Sequence, residues 1–382
     1  MSIIKQIATI CVLLAIAGEA SAQWFPETLL GSPSIVASDS NRLSLKVDMT
    51  GFFKNNEYFS PIAVGQTYPG VMLLPTLNYQ ASDKFRAEAG AYMVHFSGRN
   101  DFSLLQPFLR LQYAFTPAFS MVLGNLYGDL NHRLIEPLYQ WEQHFTARPE
   151  SGLQFVWHGD RLFADTWIDW ERYIERNDTV PEVLTFGASV IGRLFAPDKR
   201  FFLNIPVQLL IHHQGGQIDL SHEPGMMLTN AAIGISTGYR LNRKWLQSVA
   251  IDIYDALYFD SSDNRASRPY EQGHGVYSVL HLDAAPFALM VGYWHAEKFY
   301  AFQGEPLFAS FDRYNPLSQL PVRNLLTAKL AFDKTVYKGI AIGAYAETYT
   351  DIDRGETDYS FGVHIRFCRS FTLINTNADR SR

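Results

Sequence analysis

The feature that most constrains this chain is an alternation in the lengths of its breaks. After Arg42 the sequence reads as sixteen short segments in which apolar and polar residues alternate. The breaks between them run long, short, long, short to the end. The long ones are 54–70, 97–103, 128–150, 174–182, 213–227, 260–273, 300–322 and 350–357; the short ones are 82–84, 116–118, 158–161, 196–200, 242–245, 285–286 and 333–338. A period of two marks strands whose two faces meet different surroundings. In the last segment Tyr359, Phe361, Val363, Ile365 and Phe367 share one face, and Ser360, Gly362, His364 and Arg366 the other. Ile233, Ile235, Thr237 and Tyr239 oppose Ala232, Gly234, Ser236, Gly238 and Arg240 in the same way. Tight turns on one rim and extended loops on the other predict an all-β fold: a transmembrane, antiparallel, up-and-down β-barrel of about sixteen strands, within a range of 14–18. Pro75, Pro107 and Pro206 lie inside segments and predict local breaks in the ladder, because proline has no N–H to donate.

The rest of the chain fits a membrane wall better than a soluble sandwich or propeller. Residues 1–22 read as a signal peptide, with Lys5 before an apolar run from Ile7 to Ile16 and a cleavage site at Ala20-Ser21-Ala22. Residues 23–42 then form a short periplasmic segment, 43–367 the barrel, and 368–382 a polar tail. Beyond the signal only Cys368 remains, so the chain has neither an internal disulfide nor a cysteine metal cage. No stretch approaches the ~20 apolar residues of a spanning helix. A mean hydropathy of −0.08 suits strands with one face in lipid and one in water. The 27 Phe and 20 Tyr supply aromatics for two interfacial girdles. A net charge of −6 argues against nucleic acid as a partner.

On these residues the chain resembles a Gram-negative outer-membrane β-barrel, and most of all the sixteen-stranded general porins, over Leu43 to Phe367. The resemblance implies both ends in the periplasm and a third outer loop folded into the lumen as a constriction. That loop, 128–150, offers Arg133, Glu136 and Glu142 as constriction residues beside His132, Trp141, His144 and Arg148. It also admits a homotrimer, and its partners otherwise are outer-membrane lipid and small polar solutes. The chain departs from the resemblance in continuing past Phe367.

The period-two reading places seven cationic side chains in the lumen: Lys46, Arg86, Arg110, Arg193, Arg240, Lys329 and Arg366. Asp165, Asp169, Glu171 and Asp252 are the acidic counterparts across it. Opposed walls of charge would set ion preference; the ordinary alternative is local pairing and hydration. His212, His213, His222, Asp219 and Glu223 have the composition of a metal cluster, but they sit in a Gly-rich loop without H-E-x-x-H spacing, so no metal is assigned. His95, His281, His295 and His364 fall on separate segments, with no nucleophile beside a base. The reading is therefore a non-enzymatic channel for passive diffusion of small polar solutes or ions, without cofactor. The alternatives are a plugged or orphan barrel that binds a lipoprotein or neighbouring barrel through Phe302, Phe308, Phe311 and Tyr314, as a secretion-associated component, and, ranked lower, an outer-membrane hydrolase.

Overall fold

The computed structural model describes residues 26–31, 34–243, 245–262 and 268–376. The segment read as a signal peptide lies outside them. Sixteen strands close into one antiparallel barrel. They are β1 (Arg42–Glu57), β2 (Thr67–Gln80), β3 (Phe85–Phe96), β4 (Leu104–Thr116), β5 (Phe119–Asn125), β6 (Ser151–His158), β7 (Leu162–Arg172), β8 (Val183–Arg193), β9 (Phe201–Gln214), β10 (Met226–Arg243), β11 (Leu246–Asp260), β12 (Gln272–Ala284), β13 (Phe287–Glu297), β14 (Val322–Tyr337), β15 (Ile340–Asp351) and β16 (Glu356–Asn375). Each pairs with its chain neighbours, and β1 closes on β16 from Arg42↔Asn375 to Glu57↔Tyr359. Closure is what hydrocarbon demands: with no water to bond, a sheet edge in the bilayer would leave a row of unsatisfied backbone groups.

The strands run further than their apolar cores suggest. β1 and β2 continue into the first long break, so loop 1 shrinks to 58–66. β16 passes Phe367 and pairs with β1 as far as Asn375, so 368–375 is strand rather than tail. The three prolines sit where a ladder is interrupted. Pro75 falls in the gap of the β2–β3 pairing, Pro206 in that of β9–β10, and Pro107 on β4 above the last residue that β5 reaches.

Outside, the wall is apolar, with Leu109, Ile233, Ile235, Leu330 and Ile365 all exposed toward lipid. Phe115, Phe195, Phe201, Trp245 and Phe287 gather at the short-turn ends on that face. Other aromatics at strand ends turn inward instead: Phe52, Tyr127, Phe163, Phe299 and Tyr349 are buried. They are core, because three segments fill the lumen.

The first is the N-terminal segment, which crosses the barrel mouth on the short-turn side. The Thr28 amide and hydroxyl donate to Asp333 at 3.0 and 2.6 Å, Arg366 holds the Thr28 carbonyl, and Gln80 donates to the Val36 carbonyl at 2.6 Å. The second is loop 3 (126–150), whose Leu126, Leu130, Leu134, Leu138, Trp141 and Phe145 are buried. The third is loop 7 (298–321), which lies on loop 3 through Gln140 N–H to Gln303 O (2.7 Å) and Glu305 N–H to Glu136 O (3.1 Å). Phe308 and Phe311 are fully buried and Phe302 stacks on His212, so only Tyr314 of the expected exterior patch stays exposed.

A closed sixteen-stranded wall predicts slow unfolding in detergent. The unheated protein should run faster on a denaturing gel than the boiled protein, with β-type circular dichroism. Identical mobility together with a helical spectrum would contradict this fold.

Candidate functional site

The wall is uneven at one place. β5 has 7 residues and β6 has 8, against 13 in β4 and 11 in β7. A spanning strand needs ~9–11 residues when tilted about 45°. Seven residues rise roughly 16 Å, short of an apolar band about 25 Å tall. The periplasmic ends of these strands are joined by tight turns, so the deficit lies on the outer side. There β4 above Arg110 has no β5 partner, and β7 above Asp169 has no β6 partner. Side chains take over the orphaned backbone. Asn125 Oδ1 accepts from Leu109 N–H at 2.8 Å, and Arg110 donates to the carbonyls of Asn125 (2.7 Å) and Leu126 (2.6 Å).

Loop 3 leaves the wall at this step and is pinned by a histidine. His132 Nδ1 lies 2.8 Å from Asp165 and Nε2 2.7 Å from Glu150, and the ring stacks on Trp167 at 3.4 Å. Burial works against the imidazolium, but the two carboxylates outweigh it and raise the pKa to about 10. With both nitrogens donating, His132 has no lone pair to offer a substrate and serves as a structural pin. Further in, Lys54 lies 3.3 Å from Glu142 and 3.6 Å from Glu347, Lys329 2.5 Å from Glu347, and Trp141 donates to Glu347 at 3.0 Å. Glu136 takes the Tyr349 hydroxyl. Loop 3 is thus tied to β1, β14 and β15 across the lumen.

His144 is placed differently. It stands on a single helical turn (Gln143–Thr146), only partly buried, with Nδ1 3.6 Å from Asp129 Oδ2. Burial raises the Asp129 pKa, but His144 and the Tyr139 hydroxyl, 2.9 Å away, bring it below the ordinary value. Asp129 holds φ at +53°, a left-handed conformation that aspartate tolerates. His144 lines a cavity of about 370 Å³ between loop 3 and β1–β4. The cavity runs from Arg42 and Gln80 at the periplasmic end to Phe108 and Pro149, at the level where β5 and β6 have ended.

The remaining expected site residues fall into three groups. Lys46, Arg86, Arg110 and Arg366 come together on the cavity wall, with Asp48 and Glu88 among them. Arg193 and Arg240 bind turn carbonyls at the periplasmic rim, of Gly159 and of Pro197 and Lys199. The acidic wall is answered locally. Asp165 meets His132, Asp169 meets Arg148 at 2.9 Å, Glu171 bonds Thr185, and Asp252 lies 3.3 Å from His281. Arg133 lies over the Phe163 ring. Loop 3 therefore carries cations to the acidic side and removes most of the opposition between the walls. Of the expected loop 5 cluster, His212 and His213 lie on β9, facing the lumen and the opposite side, and among the described residues no group of three or more ligands converges. Sequence reasoning missed the Asp129–His144 pair, whose signal was no more than two polar residues of one loop.

Comparisons with known proteins bear on this site. A model of a protein family described as lipid A 3'-O-deacylase-type matches residues 35–376. The chain belongs to that family. Its description is that of an enzyme family, which overturns the expectation of a non-enzymatic channel. No curated protein matches. Among solved structures, a loop-deletion mutant of OmpT, an outer membrane protein of Vibrio cholerae, covers 86% of this chain and 99% of its own at 10% identity, with a TM-score of 0.50. OprD from Pseudomonas aeruginosa covers 91% and 98% at 9% identity (TM-score 0.48), and an anion-selective porin from Comamonas acidovorans 86% and 100% at 9% (0.48). At such identity the OmpT likeness shows the fold alone. The family member described here is an outer-membrane, sixteen-stranded, porin-like barrel.

The histidine pin carries a pH signature. A folded-state pKa of about 10 lies above the ordinary 6.5, so the pin stabilises fully below about pH 6.5 and is lost as pH rises through 10. Trypsin should cut loop 3 at Arg133, which Leu134 follows, only above about pH 10. His132→Ala, which leaves buried carboxylates unanswered at a cost of about 3–5 kcal/mol, should make the loop cleavable at neutral pH.

Proposed function

We propose that this barrel hydrolyses an acyl ester of a lipid A-type glycolipid in the outer leaflet, with His144 as general base. The observation that carries the reading is that His144, with Asp129 on its Nδ1, lines a lumenal cavity reaching the level where the wall is lowered beside β5 and β6. An acyl chain in the outer leaflet meets the wall at that height. The family's description supplies the class of bond.

In this reading the Asp129 carboxylate, 3.6 Å from Nδ1, favours the Nδ1–H tautomer by its charge, so Nε2 presents its lone pair to a water molecule. His144 takes the water proton as the oxygen bonds to the ester carbonyl carbon. The carbon–alkoxy bond then breaks, and the imidazolium returns the proton to the leaving alkoxide. Passive diffusion, the reading the barrel wall alone suggests, finds less support: the N-terminal segment, loop 3 and loop 7 occupy the lumen.

Purified barrel mixed with lipid A should release free fatty acid, read by mass spectrometry as loss of one acyl chain. His144→Gln should slow release by about 10²–10⁴-fold, the usual contribution of a general base, and Asp129→Asn by less. Unchanged release in a correctly folded His144→Gln barrel, or steady ion conductance with no release from wild type, would refute the assignment.

A further inference from the structure

We propose that the lumenal cavity is a binding site for a long-chain carboxylate, its headgroup toward the periplasmic end and its chain toward the lowered wall above β5. Long-chain carboxylate here means a fatty acid, whether freed by the hydrolysis proposed above or drawn from the bilayer. The binding site itself stands without that hydrolysis.

Four adjacent strands carry the argument. Read from the periplasmic end, the inward residues of β1 are Arg42, Ser44, Lys46, Asp48, Thr50 and Phe52; those of β2 are Gln80, Asn78, Thr76, Leu74 and Met72. β3 gives Arg86, Glu88, Gly90, Tyr92 and Val94, and β4 gives Gln112, Arg110, Phe108, Gln106 and Leu104. Over the height of the cavity the inward face of these strands changes from charged or polar to apolar, and it turns polar again above, at Gln106 and Lys54. The pairings Asp48↔Leu74 and Gly90↔Phe108 put the change at neighbouring positions in the ladder. The cavity spans it, with Leu29 and Leu130 facing its upper part. A volume of about 370 Å³ falls in the ordinary range for small-molecule sites.

The polar end is cationic. Lys46 (3.3 Å) and Arg366 (2.5 Å) share Asp48, while Arg86 (3.6 Å) and Arg110 (3.0 Å) share Glu88. With the Arg42–Asp39 pair (2.6 Å) this end holds five cationic side chains to three carboxylates, while Asp129 and Glu150 of the same cavity are engaged by His144 and His132, so a further carboxylate would reduce the excess. Its hydrocarbon chain would lie against Leu74, Tyr92 and Phe108, exchanging water for apolar surface. A neutral alcohol of equal length gains the second term only, which is what makes the site selective.

The test uses the full barrel in phosphatidylcholine nanodiscs and a fatty acid bearing a diazirine at its tail. Photolabelling mapped by mass spectrometry should mark the lumenal residues Met72, Leu74, Tyr92 or Phe108. Laurate should compete the label away and dodecanol should not. Lys46→Met with Arg86→Met should weaken labelling at least tenfold in a heat-modifiable barrel. If that pair does not fold, Leu74→Glu should abolish labelling instead. The label is read with no ester supplied, which separates this site from the hydrolytic step. Labelling restricted to lipid-facing Leu105 and Leu109, or equal competition by dodecanol, would overturn the proposal. Occupancy by laurate added alone identifies a free fatty acid as ligand; occupancy only after an ester-linked chain is supplied to wild type identifies the reaction product.

Discussion

Backbone groups inside a bilayer must find partners within the protein, and this requirement governs the whole molecule. It accounts for the closure of β1 on β16 and for the siting of three prolines at interrupted pairings. It also makes the short β5–β6 hairpin costly, since the neighbouring strands lose their ladder partners there. Asn125 and Arg110 meet that cost with side-chain hydrogen bonds to the backbone. Arg110, which alternation alone marks as a pore charge, works largely as the cap of a strand that ends early. Because β5 stops, loop 3 can leave the wall at depth and enter the lumen.

What loop 3 does there depends on two histidines twelve positions apart. His132 is enclosed by two carboxylates and a tryptophan ring, so both nitrogens are committed. His144 has a single carboxylate on one side and a cavity on the other. Nothing in their residue type distinguishes the pin from the proposed base; the number of acceptors each meets does. The same loop neutralises the acidic wall by delivering His132 and Arg148 to Asp165 and Asp169. A pore's opposed charges become, in this barrel, the fastenings of its own filling.

The filling is selective. Loop 7 and the inner part of loop 3 pack into a continuous core around Trp294, Phe299, Phe308 and Leu138, whereas the side next to β1–β4 keeps its cavity. A porin-like wall is therefore compatible with chemistry at one flank of a largely occupied lumen. This is consistent with a chain that shares its fold with an outer membrane protein of Vibrio cholerae and its family with a deacylase type.

The sequence by itself determined the barrel. Period-two alternation and the sorting of breaks into long and short are local properties, and a membrane wall has no other way to satisfy them, so strand number and the alternation of faces were legible at Ile233, Arg240, Phe361 and Arg366 alike. The extent of strands was less so: β16 continues to Asn375 because β1 offers a partner, a fact belonging to the pairing and not to the segment. The inward turn of Phe52, Phe308 and Phe311 was hidden, since an aromatic at a strand end serves a girdle or a core equally well. The candidate site was hidden most. Asp129 and His144 acquire a role only when loop 3 folds inward, and that depends on contacts to β1, β7, β9 and β15 that are distant in sequence. Tertiary structure alone decided which charges face each other, because side chains on a loop are positioned by what the loop packs against.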